Sequence, residues 1–265
     1  MKNYKSPFFP LYIIWYREIL LYIRNSLKFF TSIFAPILIL VFLGTGLKTV
    51  FSVDLLNYDF VQFFFPGILG LSCIVMVLSS TISVVWDKEF GFLKELLVAP
   101  VKRYQIAFGK VLGATTTALI EGLLILLIAP YVGINISWEI LLQSLGVIFL
   151  LCYGVGCFGL FLASRLSRVE SFSILTQLVI APMVFLSGAF YSLKNLPSWM
   201  IQIAHYNPLA YGIDALRWSI LSLTFPAESL FNLTLFSFSQ AITFLIVFDL
   251  IISLLALRVF YRYLK

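Results

Sequence analysis

Six stretches of this chain are long and apolar enough to cross a lipid bilayer, and nothing else restricts its fold so strongly. They run from Phe29 to Leu47, Pro66 to Trp86, Ile106 to Ala129, Ile140 to Ser164, Phe172 to Leu193 and Leu235 to Leu257. An apolar run of about 18 residues or more is read as a membrane span. Within lipid, a helix satisfies its backbone polar groups inside its own segment. With 61% hydrophobic and 11% charged residues, the chain reads as an all-α membrane protein with six transmembrane helices.

Charge orients it. Fifteen of the 18 lysines and arginines fall before the first span, between the second and third or at the start of the third (Lys110), between the fourth and fifth, or after the sixth. Only Lys48, Lys194 and Arg217 fall on the other side. The positive-inside rule then places both termini and the loop 87–103 in the cytoplasm. The net charge of +6 reflects this topology and anionic lipid headgroups. The basic residues are dispersed along membrane flanks, so nothing supports nucleic-acid binding.

Residues 1–28 form a separate unit. Lys2 and Lys5 ahead of apolar Phe8 to Tyr16 imitate a signal peptide, but no small-residue cleavage site follows. On a helix, Arg17, Glu18, Arg24, Asn25 and Lys28 gather into one polar stripe beside a broad apolar surface. The expectation is a retained amphipathic helix in the cytoplasmic interface, leading into a six-span domain over 29–265.

Between the second and third spans lies DKEFGFLKELLVAPVKR, residues 87–103. In helical form, Phe92, Leu93, Leu96 and Leu97 share one face, with Lys94 and Glu95 opposite. Pro100 ends the turn. An amphipathic segment held between spans is a handle for a soluble partner, or else an ordinary interfacial loop on lipid headgroups.

Residues 194–234, between the fifth and sixth spans, are too apolar for a free loop, and each piece is too short to cross about 30 Å of hydrocarbon. They read as extracytoplasmic re-entrant or interfacial helices, with Trp199 and Trp218 at headgroup level. Two acids, Glu121 and Asp249, fall inside spans. There a carboxyl either serves transport or locks helices together. Gly109-x-x-x-Gly113 and Gly159-x-x-x-Ala163 permit close helix approach, and Pro36 and Pro182 mark kinks.

Other chemistry has little support. Cys73, Cys152 and Cys157 fall inside spans without a CxxC pair, His205 has no ligand-type neighbour in sequence, and no metal site is expected. Gly44-Thr45-Gly46-Leu47-Lys48-Thr49 lacks both the glycine before the lysine and the outer glycine of a phosphate-binding loop. If ATP drives this protein, another polypeptide binds it.

The segment DKEFGFLKELLVAPVKRYQIAFGK resembles the coupling loop of type-2 ABC transporter permeases, the membrane subunits of drug-resistance, nodulation-factor and polysaccharide exporters. SGAFYSLKNLPSWMIQIAHYNPLAYGIDALR resembles the same family's C-terminal signature. The resemblance covers essentially the whole chain. It assigns Glu89, Phe90, Gly91, Leu93, Glu95, Leu96, Leu97 and Pro100, with Phe92 on the same apolar face, to contact with an ATPase subunit. The apolar side chains would fill a groove while Glu89 and Glu95 fix orientation at its rim. Gly188, Pro197, Asn207, Pro208, Tyr211, Asp214 and Arg217 map onto the signature of the re-entrant region. Asp214 and Arg217, three residues apart, can pair locally.

The resemblance implies a permease of the plasma (inner) membrane, without an ATP site or other enzyme activity of its own. It would pair with a second copy and with two ATPase subunits carrying ATP and Mg, and export an amphiphilic cargo that is drug-like, lipid-linked or a glycan. Two alternatives stay open: an ATP-independent carrier or channel, and a membrane anchor that docks a soluble partner. The absence of duplicated halves and of an ionisable chain along any span argues against a carrier.

Overall fold

Among the described residues, the long apolar runs form helices. The computed structural model describes residues 8–50, 60–92 and 101–263, and among these there is no strand. The helices are α1 (Phe9–Arg24), α2 (Ser26–Val50), α3 (Phe60–Thr81), α4 (Ser83–Glu89), α5 (Arg103–Leu126) and α6 (Trp138–Arg165). There follow α7 (Val169–Phe185), α8 (Ser198–Ala204), α9 (Pro208–Leu221), α10 (Ala227–Leu233) and α11 (Phe238–Tyr263).

Among the described residues, five segments are long and apolar enough to span a membrane: Ser26–Gly44 in α2, α3 continued through α4 (Phe60–Glu89), α5, α6, and Phe238–Arg262 in α11. The fifth expected span, Phe172 to Leu193, is realised as α7, which is apolar but only 17 residues long. Its end is set from outside. The Asn207 amide donates to the carbonyl oxygens of Met183 and Leu186 at 2.7 and 3.0 Å, and so closes the last turn.

Helix α3 runs through the centre, against α2, α5, α6 and α9, while α11 packs along α6. Small residues set the closest approaches. A Cβ at Gly67 would lie 2.2 Å from the carbonyl oxygen of Ala189, and one at Gly159 would lie 3.0 Å from Thr81 of α3. The Gly109/Gly113 pair seats α1, since added Cβ atoms would meet Ile14 at 3.0 Å and Glu18 at 2.6 Å. Helix α1 thus runs parallel to the first half of α5 and buries Ile14, Glu18 and Tyr22 on one stripe. By contrast, α2 packs mainly on α3 and leaves Phe30, Phe34 and Phe42 exposed. All three cysteines are buried and free, Pro36, Pro66 and Pro182 lie inside α2, α3 and α7, and His205 Nδ1 bonds the carbonyl oxygen of Ile201 at 2.7 Å.

Candidate functional site

Three consecutive charged residues at the end of α4 each hold a different part of the bundle. Asp87 accepts from Arg17 Nη1 and Nη2 at 3.2 and 3.1 Å, and pairs with the Lys110 ammonium. Lys110 also donates to Glu18 Oε1 at 2.9 Å and to Ser83 Oγ at 3.2 Å. Lys88 donates to the carbonyl oxygens of Ala163, Ser164 and Leu166 at 3.0, 2.6 and 3.1 Å. It thereby places an ammonium on the negative end of α6. Glu89 Oε2 accepts from the backbone N–H of Val169 at 2.9 Å and puts a carboxylate on the positive end of α7.

The result is a charged hub in which α1, α4, α5, α6 and α7 meet. Glu18, Asp87 and Lys110 are buried, which two short charged segments alone could not accomplish; each charge is stabilised only because an opposite one faces it. Burial opposes the charge of Arg17, but the hydrogen bond and the charge of Asp87 outweigh it and hold the guanidinium pKa above its ordinary value.

The chain then leaves the hub. Gly91, at φ +81°, takes a left-handed conformation that a residue with Cβ rarely adopts. Phe90 is exposed, and Phe92 lies under the Arg17 guanidinium, 4.4 Å from its ring centre. Of the expected ATPase-contact residues, Glu89, Phe90, Gly91 and Phe92 therefore sit at the hub's edge. Leu93, Glu95, Leu96, Leu97 and Pro100 lie outside the described residues. Glu89 faces α7, where the sequence reading had it fixing orientation at a partner's rim.

The signature residues between α7 and α11 form a second buried polar cluster. Arg217 and Asp214 pair at 3.3 Å with side chains 0% and 1% exposed. Asp214 Oδ2 accepts from the backbone N–H groups of Leu235 and Phe236 at 2.8 and 3.1 Å. Arg217 donates to the Gly188 carbonyl and stacks over the Phe63 ring at 4.1 Å. Gly188 itself has φ +76°. Asn207 caps α9 by accepting from Leu209 N–H at 3.1 Å, Pro208 takes the first helical position, and Pro197 caps α8. Tyr211 donates to the His205 carbonyl at 3.0 Å and stacks between Phe236 and Phe244, at 3.7 and 3.8 Å. Trp199 is exposed, whereas Trp218 donates to the Phe236 carbonyl at 3.0 Å.

A cavity of about 920 Å³ rises from the hub between α1, α2 and α3 towards Val184 and Phe190. Glu121 of α5 lines it, 1% exposed, and its Oε2 has no hydrogen-bond partner. Asp249 lies elsewhere, on α11 against Gly154, with both carboxyl oxygens unpartnered. Among the described residues no group of three or more His, Cys, Asp or Glu side chains could hold a metal ion.

The sequence reading missed Asp87, Lys88 and Lys110 as hub members. Lys110 carried a usable signal, since a lone lysine inside an apolar span requires a partner. The Arg17/Glu18 stripe on α1 supplies that environment.

The sequence model of the ABC-2 type transporter family matches residues 10–221. The chain is similar to ycf38, named as a transport permease, of Cyanophora paradoxa, with 34% identity over 236 residues covering 86% of this chain and 81% of that one. It is also similar to the inner membrane transport permease YadH of Escherichia coli K12, at 29% identity over 64% of this chain and 66% of the relative. Nodulation protein J of Rhizobium leguminosarum bv. viciae is 28% identical over 78% of this chain and 81% of the relative. The family match spans α1 to α9 and so takes in the hub, the cavity and most of the signature cluster; the chain belongs to the ABC-2 type transporter family, as a multi-pass transport subunit of an ABC system that works with an ATPase partner.

Proposed function

We propose that this chain is the permease of an ATP-driven exporter, and that its ATPase subunit docks on the loop that leaves the hub. The observation that carries the reading is the attachment of Asp87, Lys88 and Glu89 to α1 and α5, to α6 and to α7. A push on the loop from below then reaches four helices at once as rigid-body movement. Two copies of the permease pair, and two ATPase subunits bind ATP and Mg beneath them. Helix α7 serves as a sixth, short span, both termini are cytoplasmic, and α1 marks the cytoplasmic interface of the inner membrane. Helices α8 and α9 form the re-entrant region, and an amphiphilic cargo moves outward along the cavity. The apolar wall beside a charged mouth supports such a cargo.

The test is coupling. Leu96→Asp should leave the permease inserted and folded but remove most stimulation of the co-purified ATPase, because a charge in an apolar groove loses its hydration without gaining a partner. Wild-type stimulation in that variant would sink the docking assignment.

Orientation has its own experiment. Single cysteines at Asp59, Ser137 and Ser198 should react with an impermeant thiol reagent on intact cells, and cysteines at Lys94 and Arg168 should not. The distribution of 15 basic residues against 3 motivates this. External labelling at Lys94 would reverse the topology.

A further inference from the structure

We propose that the cavity between α1, α2 and α3, with Glu121 of α5 in its lining, binds an amphiphile whose headgroup joins an ammonium to an anionic group, with the ammonium at Glu121, the anion at Lys28 and the acyl chain along the apolar wall. The inference rests on the export reading and names the cargo class that the cavity selects.

The polar groups of the cavity are unevenly divided. Its wall hydroxyls spend their protons on their own helices: Thr31 donates to the Leu27 carbonyl at 2.7 Å, Ser72 to Ile68 at 2.8 Å and Ser79 to Met76 at 2.9 Å. Their remaining lone pairs face the cavity as acceptors. Glu121 Oε2, buried and without a partner, adds another acceptor. A buried carboxyl in this state is costly unless something donates to it. This surface calls for a donor-rich, positively charged ligand group.

Lys28 supplies the opposite chemistry. Arg17, the other cation on the lining, is held by Asp87, whereas the Lys28 ammonium makes a long hydrogen bond to Ser80 Oγ at 3.4 Å and feels the more distant charges of Glu18 and Glu121. Ser80 in turn hydrogen-bonds Thr117 at 3.2 Å, and Thr117 lies one helical turn before Glu121. A polar track thus runs from Lys28 to Glu121 across α2, α3 and α5. Among the described residues no ion pair joins its two ends. One cationic and one acidic terminus, within reach of each other's charge but not in ion-pair contact, match a zwitterion laid between them. A purely anionic headgroup would satisfy Lys28 and leave Glu121 unpaired. The volume, about 920 Å³, suits a headgroup with part of a chain, and Ile39, Leu71 and Val75 offer the chain an apolar wall that reaches the exposed side of the bundle.

The full-length permease, purified in detergent, can be titrated with phosphatidylethanolamine and with phosphatidylglycerol, and bound lipid counted by native mass spectrometry. The wild type should retain phosphatidylethanolamine at least tenfold more tightly. Glu121→Gln should bring that preference down to within about twofold, and Lys28→Gln should weaken both lipids. Equal retention of the two lipids by the wild type overturns the proposal and depends on no variant. An undiminished preference in Glu121→Gln, or tighter retention of a neutral glycolipid, overturns it as well. Selective binding without ATP-dependent movement of phosphatidylethanolamine in proteoliposomes would leave the site standing as a lipid site and remove it as a cargo site. Failure of the Leu96→Asp test alone would remove the docking assignment and leave the binding result untouched.

Discussion

Arg217→Met should cost the fold about 3–5 kcal/mol, the usual penalty for removing one partner of a buried ion pair. Neither residue of the Asp214–Arg217 pair reaches solvent, and the guanidinium also bonds Gly188 and covers Phe63. Methionine fills much of the volume but leaves the Asp214 carboxylate buried without its counter-charge. The yield of monodisperse protein and its thermal midpoint in detergent should both fall sharply. Adding Asp214→Asn should recover most of the loss, because an amide carries no charge and its oxygen can still accept from the N–H groups of Leu235 and Phe236. Asp214→Leu should rescue less well, since those two donors would then lose their acceptor. If Arg217→Met behaves as wild type, the cluster is not what holds α9 against the start of α11.

Lys110→Met is the second large effect. It removes the buried cation that Glu18 and Asp87 share, and leaves two buried carboxylates with the partly exposed Arg17 as their remaining shared cation. The expected loss is again about 3–5 kcal/mol, and it falls on the seat of α1. Limited proteolysis should therefore cut within α1 much faster than in the wild type, while α6 and α11, which are packed on each other, stay protected. Lys110→Arg should keep α1 largely protected, because it retains the charge. Unchanged protection of α1 in Lys110→Met would mean that Gly109 and Gly113 seat the helix by packing alone.

Much of the architecture is legible without coordinates. The span from Ile140 to Ser164 is realised as Trp138–Arg165, and the first as Ser26–Val50, because apolar length alone decides where a membrane helix forms. Where the ends moved, a distant residue moved them. The last span, expected from Leu235, begins at Phe238 because Leu235 and Phe236 turn their N–H groups towards Asp214. Helix α7 stops at Phe185 because Asn207 takes its terminal carbonyls.

The candidate site divides in the same way. The local pairing of Asp214 with Arg217, three residues apart, follows from helical spacing, whereas the partners of Asp87, Lys88 and Glu89 do not. Those partners stand 70 residues away at Arg17, 23 at Lys110, 76 at Ser164 and 80 at Val169. No short-range pattern records such distances.

The sequence by itself determined a helical, multi-pass membrane protein with a charged amphipathic segment between two spans, since hydrophobic length and charge placement are local properties that the bilayer reads directly. Only the tertiary structure decided that this segment begins in a five-helix charge hub, that the signature residues wrap a buried ion pair, and that Glu121 faces a cavity with Lys28 in its wall. The physical reason is that a buried charge is tolerated only where an opposite charge or a donor meets it, and the residues that meet it come from helices far apart in the chain.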